Sequence, residues 1–88
     1  MIPRQLHPLF WDTNLHNFDP SEFPAYTIAR ILEFGDREAV AWLRDNFSET
    51  QIVEVICGDR RLSRRSASFW ALVYRVPRDQ VAALKLAS

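Results

Sequence analysis

GDRRLSRRSASFWALVYRVP, residues 58–77, carries four arginines within six positions and then becomes aromatic and mostly apolar. Ser63 is placed to cap a helix, with Leu62 before it as the apolar staple residue. Ala67, Trp70, Ala71 and Tyr74 recur on one stripe at helical spacing. Phe69, Leu72, Val73 and Val76 cover most of the remaining surface. A helix apolar nearly all round belongs in the middle of a core. This fourth helix is therefore expected to be central and buried, with its polar exposure concentrated at Arg64, Arg65 and Ser68. Pro77 ends it, or starts a short fifth helix through Val81 and Leu84.

Upstream, the caps divide the chain into three more helices. Ser48 and Gln51 in "SETQ" match the capping box, a hydroxyl at the cap and a glutamine three residues on. The third helix then runs to about Cys57, burying Ile52, Val55 and Ile56, and Gly58 ends it. Asp36 caps a second helix, "REAVAWLRDNF", whose buried face is Ala39, Val40, Leu43 and Phe47, with Trp42 at the border. The first helix spans residues 24–34, with Pro24 in its first turn, Ala25, Ile28, Ala29 and Leu32 at helical spacing, and Gly35 as its stop. Gly35 and Asp36 leave almost no loop, so the first two helices must turn sharply against each other.

Residues 1–23 read differently. Pro3, Pro8 and Pro20 interrupt any helical run, and "TNLHNFDPS" has the composition of turns. This arm is expected to be irregular and to lie across the helices, because Leu6, Leu9, Phe10, Trp11, Leu15 and Phe18 are too many large apolar groups to leave in water. The alternative is that the arm docks on a partner. The expected architecture is all-α: one domain over residues 1–88, a compact bundle of four to five short helices with a helix-turn-helix-like core. No strand alternation, internal repeat or low-complexity tract competes with it.

The totals narrow the function. The chain has 88 residues, enough for a single small core. Cys57 is the only cysteine, so no intramolecular disulfide and no multi-cysteine metal site can form, and a small buried hydrophobe is its expected role. No apolar run approaches the ~20 residues of a membrane-spanning helix, and "MIPRQLHPLFWD" lacks a signal-peptide core. A cytoplasmic bacterial protein is the expectation, with no membrane role. The net charge is zero, but residues 1–50 hold 4 basic and 8 acidic groups, a net of −4, and residues 51–88 hold 7 and 3, a net of +4. The halves can attract each other within one fold, or offer faces of opposite sign to partners.

Catalysis finds no support. His7 and His16 have no partners at zinc spacing, and Asp12, His16 and Asp19 are better read as polar loop residues than as a metal site. There is no phosphate-binding glycine loop and no nucleophile elbow. The chain is expected not to be an enzyme and to need neither cofactor nor metal.

Two binding readings remain. In the first, the fourth helix presents its start to duplex DNA: Arg64 and Arg65 reach bases or phosphates, Ser63 caps and touches a phosphate, and Arg60 and Arg61 clamp the backbone from the turn. Against it, a basic first turn opposes the helix dipole by a few tenths of a kcal/mol or so per charge. The arginines could equally pair with Asp36, Glu38, Asp45 or Asp59. In the second reading Phe10, Trp11 and Trp42 are aromatic anchors for a protein partner, unless they fill the chain's own core. A two-fold dimer would suit operator binding, although no heptad or symmetric patch announces one.

"PLFWD" at residues 8–12, "IARILEFGD", "AVAWL" and "LSRRSASFWALVYRVP" together resemble a family of small uncharacterised bacterial proteins of about this length. The resemblance covers residues 6–77. Members of that family are often encoded beside nucleotidyltransferase toxins of the AbiEii/AbiGii type. It implies an antitoxin-like or accessory role, binding the toxin, the operon's promoter DNA, or both. It carries over no catalytic residue. A stand-alone protein-interaction module with no nucleic-acid role is the competing expectation.

Overall fold

Each helix is started by its own local chemistry. The structure is a computed structural model that describes residues 3–10 and 19–84. Helix α1 (Pro24–Phe34) begins with proline at its first position, where the missing N–H is no loss. Phe23 precedes it and has no side chain able to cap; instead the fully buried Thr27 donates its hydroxyl to the Phe23 carbonyl at 2.9 Å. Helix α2 (Arg37–Asn46) is capped by Asp36, whose Oδ1 accepts from the Ala39 amide at 3.0 Å. Helix α3 (Glu49–Gly58) starts with a complete capping box: Ser48 Oγ accepts from the Gln51 amide at 3.1 Å, and Gln51 Oε1 accepts from the Ser48 amide at 2.9 Å. Helix α4 (Arg64–Val73) is capped by Ser63, whose Oγ accepts from the Ser66 amide at 3.1 Å.

The turn between α1 and α2 needs a glycine for space rather than for dihedral freedom. Gly35 has an ordinary φ of −76°. A Cβ there would lie 2.6 Å from the Ile31 carbonyl oxygen and 3.0 Å from the Ala39 side chain. Its absence leaves only two residues between the end of α1 and the start of α2. Gly58, by contrast, closes α3 with open space around it.

Short 3₁₀ helices flank the α-helices on both sides despite the prolines there. Residues Arg4–Phe10 form a 3₁₀ helix with Pro8 inside it, in place of the irregular arm expected there. A short 3₁₀ helix of this kind tolerates proline because few intrahelical amides are required. It buries Leu6 and Phe10, and it packs against α1. After α4, two further 3₁₀ turns, Arg78–Gln80 and Ala82–Leu84, bring Val81 and Leu84 into the core.

The described residues form an all-α bundle around one core. Ile28, Ile31, Leu43, Ile52 and Ile56 are its fully buried centre. Helix α1 lies against α2 and α3, and α4 lies against α3, α1 and the last 3₁₀ turn. No helix of the described residues is long and apolar enough to cross a membrane.

One expectation fails, and the failure matters for function. Helix α4 is not buried all round. Ala67, Trp70 and Ala71 face the core as the stripe predicts, but Phe69, Leu72 and Val73 are 55%, 80% and 42% exposed. An 88-residue chain has too few helices to enclose this one on every side.

Helix α4 also stops before Pro77. Arg75 takes a left-handed conformation, φ 57°. The Val76 amide then donates to the Ala71 carbonyl at 2.8 Å, and the Arg75 amide to the Leu72 carbonyl at 3.3 Å. This is a Schellman ending with arginine where glycine is usual.

Candidate functional site

Among the described residues, the outer side of α4 carries Phe69, Leu72 and Val73, three of the five exposed large apolar side chains; the other two are Phe23 and Phe34. The helix begins where α1 ends, and two contacts fix the junction. Trp70, buried to 9% exposure, donates its indole N–H to the Leu32 carbonyl at 2.8 Å. That carbonyl belongs to the last turn of α1, where no intrahelical donor remains for it. Glu33, next along, accepts the Ser63 amide on its Oε1 at 2.7 Å. A carboxylate therefore sits at the positive end of the α4 dipole and offsets the unfavourable placement of Arg64 and Arg65.

The five residues of the basic entrance divide into two groups. Arg61 is engaged: its Nε donates to both carboxylate oxygens of Asp59 at 2.9 and 3.1 Å, and its guanidinium lies 5.8 Å from the centre of the Tyr26 ring. Those hydrogen bonds hold the Asp59 carboxyl below its usual range. Ser63 is engaged as well, through its hydroxyl as cap and its amide to Glu33. Arg60, Arg64 and Arg65 are exposed, and none has an ion-pair partner among the described residues. The acidic first half thus reaches this element through Glu33, at the backbone of Ser63.

Beyond its first turn the outer face becomes apolar. Arg65, Phe69, Leu72 and Val73 stand at i, i+4, i+7 and i+8, on the side of the helix away from Ala67, Trp70 and Ala71. Arg78 returns along this side and donates from Nη1 to Ser68 Oγ at 3.2 Å. Near Val73 the surface opens into a recess of about 650 Å³ lined by Arg44, Phe47, Glu49, Ile52, Tyr74 and Arg75. Arg44 is held at its rim, with Nε 3.2 Å from the Tyr74 hydroxyl and the guanidinium 5.7 Å from the ring centre.

The aromatic anchors expected from the sequence fall elsewhere. Phe10 is 1% exposed and packs on Tyr26 with ring centres 6.1 Å apart, so it fills the chain's own core and is not an anchor for a partner. Trp42 is half-buried against Phe47, ring centres 6.1 Å apart and nearly perpendicular. Trp11 lies outside the described residues, as do Asp12 and His16. Asp19 accepts from the Ser21 amide and hydroxyl in a local turn. Cys57 is a free, half-buried thiol.

The sequence places Arg60, Arg64 and Arg65 at the surface, where they lie, but expects Phe69, Leu72 and Val73 to be buried, and they are exposed. The available signal was the excess itself: α4 has more large apolar positions than one helix face can bury.

Residues 6–56 match a family of unknown function (DUF6922). No curated protein matches the chain. No solved structure matches it either.

Proposed function

We propose that this chain, which belongs to the DUF6922 family of unknown function, is a non-enzymatic binding module that engages a protein partner through the outer face of α4. The observation that carries this reading is the exposure of Phe69, Leu72 and Val73, three large apolar side chains in one patch. Such patches mark interaction sites more often than they mark idle surface. The sequence resemblance to proteins encoded beside nucleotidyltransferase toxins supplies the partner class: the chain acts as an antitoxin-like or accessory component in the bacterial cytoplasm. Co-expression with a nucleotidyltransferase of the AbiEii/AbiGii type tests this. The expected result is a complex that survives purification with the wild-type chain and is lost with Leu72→Asp. A nucleotidyltransferase that elutes alone would remove the toxin as partner.

Duplex DNA is a second reading, favoured by Arg60, Arg64 and Arg65, which are exposed and have no ion-pair partner among the described residues. Shifting of the operon's own promoter fragment at low salt, weakened when Arg64 and Arg65 are both changed to Gln, is the expected outcome on that reading. No shift at low salt would leave the arginines to a protein partner.

A further inference from the structure

The α4 surface carries a charge pattern as well as an apolar one. Between Asp59 and Asp79 the chain has six arginines and no acidic residue. Three of them bound the patch of Phe69, Leu72 and Val73. Arg65 stands one turn before Phe69 on the same face. Arg75 follows the helix end. Arg78 is tied to Ser68 on the flank. The recess beside Val73 has Arg44 and Arg75 on its rim and an apolar floor of Phe47 and Ile52, with Glu49 as the one acid among the described lining residues.

Resting on the reading of this face as a protein-docking surface, we infer that its occupant is an acidic amphipathic helix. Its apolar stripe lies along Phe69, Leu72 and Val73, and its carboxylates meet Arg65, Arg75 and Arg78. Helix α4 is about 15 Å long, so three turns of a partner helix span the patch. One large side chain of that helix enters the recess beside Val73. Charge complementarity selects this occupant over the others. A second copy of the chain docked helix to helix would bring arginines against arginines. A nucleic acid would neutralise the arginines but leave Leu72 in water with no apolar partner.

The probe is a fluorescein-labelled peptide of about 18 residues, leucine at helical spacing and glutamate elsewhere. Its control replaces every glutamate with lysine. Fluorescence anisotropy against the full chain should show the acidic peptide binding about ten-fold or more tightly than the basic one, and weakening as salt rises. Leu72→Asp should weaken binding about ten-fold. The double variant Arg65→Gln with Arg75→Gln should weaken it several-fold and flatten the salt dependence. Leu72→Ser is the second variant should the aspartate disturb folding, checked by thermal melting. Equal binding of the two peptides overturns the inference. So does binding that ignores Leu72, displacement of the acidic peptide by a mixed-sequence duplex, or sedimentation as a dimer that Leu72→Asp dissolves. If Leu72→Asp abolishes capture of the nucleotidyltransferase while peptide charge makes no difference, the docking surface stands and the acidic partner falls.

Discussion

Replacing Trp70 with phenylalanine separates two contributions of one side chain. Trp70 packs at the junction of α1 and α4, edge-on to Phe69 at 4.9 Å between ring centres and 6.3 Å from Tyr74. Its indole N–H is the donor that reaches the buried Leu32 carbonyl across 38 residues of chain. Phenylalanine keeps most of the apolar contact but leaves that carbonyl without its partner, which costs about 1–3 kcal/mol. Alanine removes the ring as well and should cost about 3–5 kcal/mol. A chain of this size has roughly 4–13 kcal/mol of stability in all, at ~0.05–0.15 kcal/mol per residue. Trp70→Ala should thus be close to unfolded at the less stable end of that range, and Trp70→Phe folded but weakened. At about 4–8 °C per kcal/mol, Trp70→Phe should melt roughly 4–24 °C below wild type. Urea unfolding followed by far-UV circular dichroism gives both free energies. A Trp70→Phe chain as stable as wild type would refute the role of the indole hydrogen bond, and equal losses for the two variants would refute the separation.

Other substitutions test the joints of the fold. Gly35→Ala should destabilise by about 1–3 kcal/mol through overpacking of the added methyl against the Ile31 carbonyl; a melting temperature unchanged within a degree or two would contradict it. Arg75→Gly should stabilise by about 1 kcal/mol, because arginine bears the strain of a left-handed φ that glycine does not; a lower melting temperature would contradict that. Asp59 has a folded-state carboxyl held below its usual range by hydrogen bonds from Arg61. Its contribution is therefore present above the unfolded-state carboxylate range and lost as pH falls through the depressed value. Asp59→Asn should melt lower than wild type at neutral pH, and the gap should close in acid; a gap that widens in acid would reverse the sign.

The starts of α2, α3 and α4 were readable because Asp36, Ser48 with Gln51, and Ser63 act on amides three residues away. Their chemistry is local and leaves its mark in spacing. The end of α4 was not readable, since its Schellman turn uses Arg75 where the expected signal is glycine. Nor was the offset of the α4 dipole, because Glu33 reaches Ser63 from 30 residues away. The largest gap concerned the exposed face of α4. An apolar pattern around a helix reports how much surface seeks burial, and it does not say whether the chain itself or another molecule provides it. Phe10 and Leu72 are both large apolar residues in the sequence, yet one is enclosed and the other lies open.

The most direct test of α4 as the docking surface is chemical-shift mapping of the ¹⁵N-labelled chain as the acidic amphipathic peptide is added. The amides of Arg65, Ser68, Phe69, Leu72, Val73 and Arg75 should move together and saturate, while those of Ala25, Gln51 and Glu54, on the cavity between α1 and α3, stay in place. Shifts gathered at that second cavity, with α4 unmoved, would contradict the account.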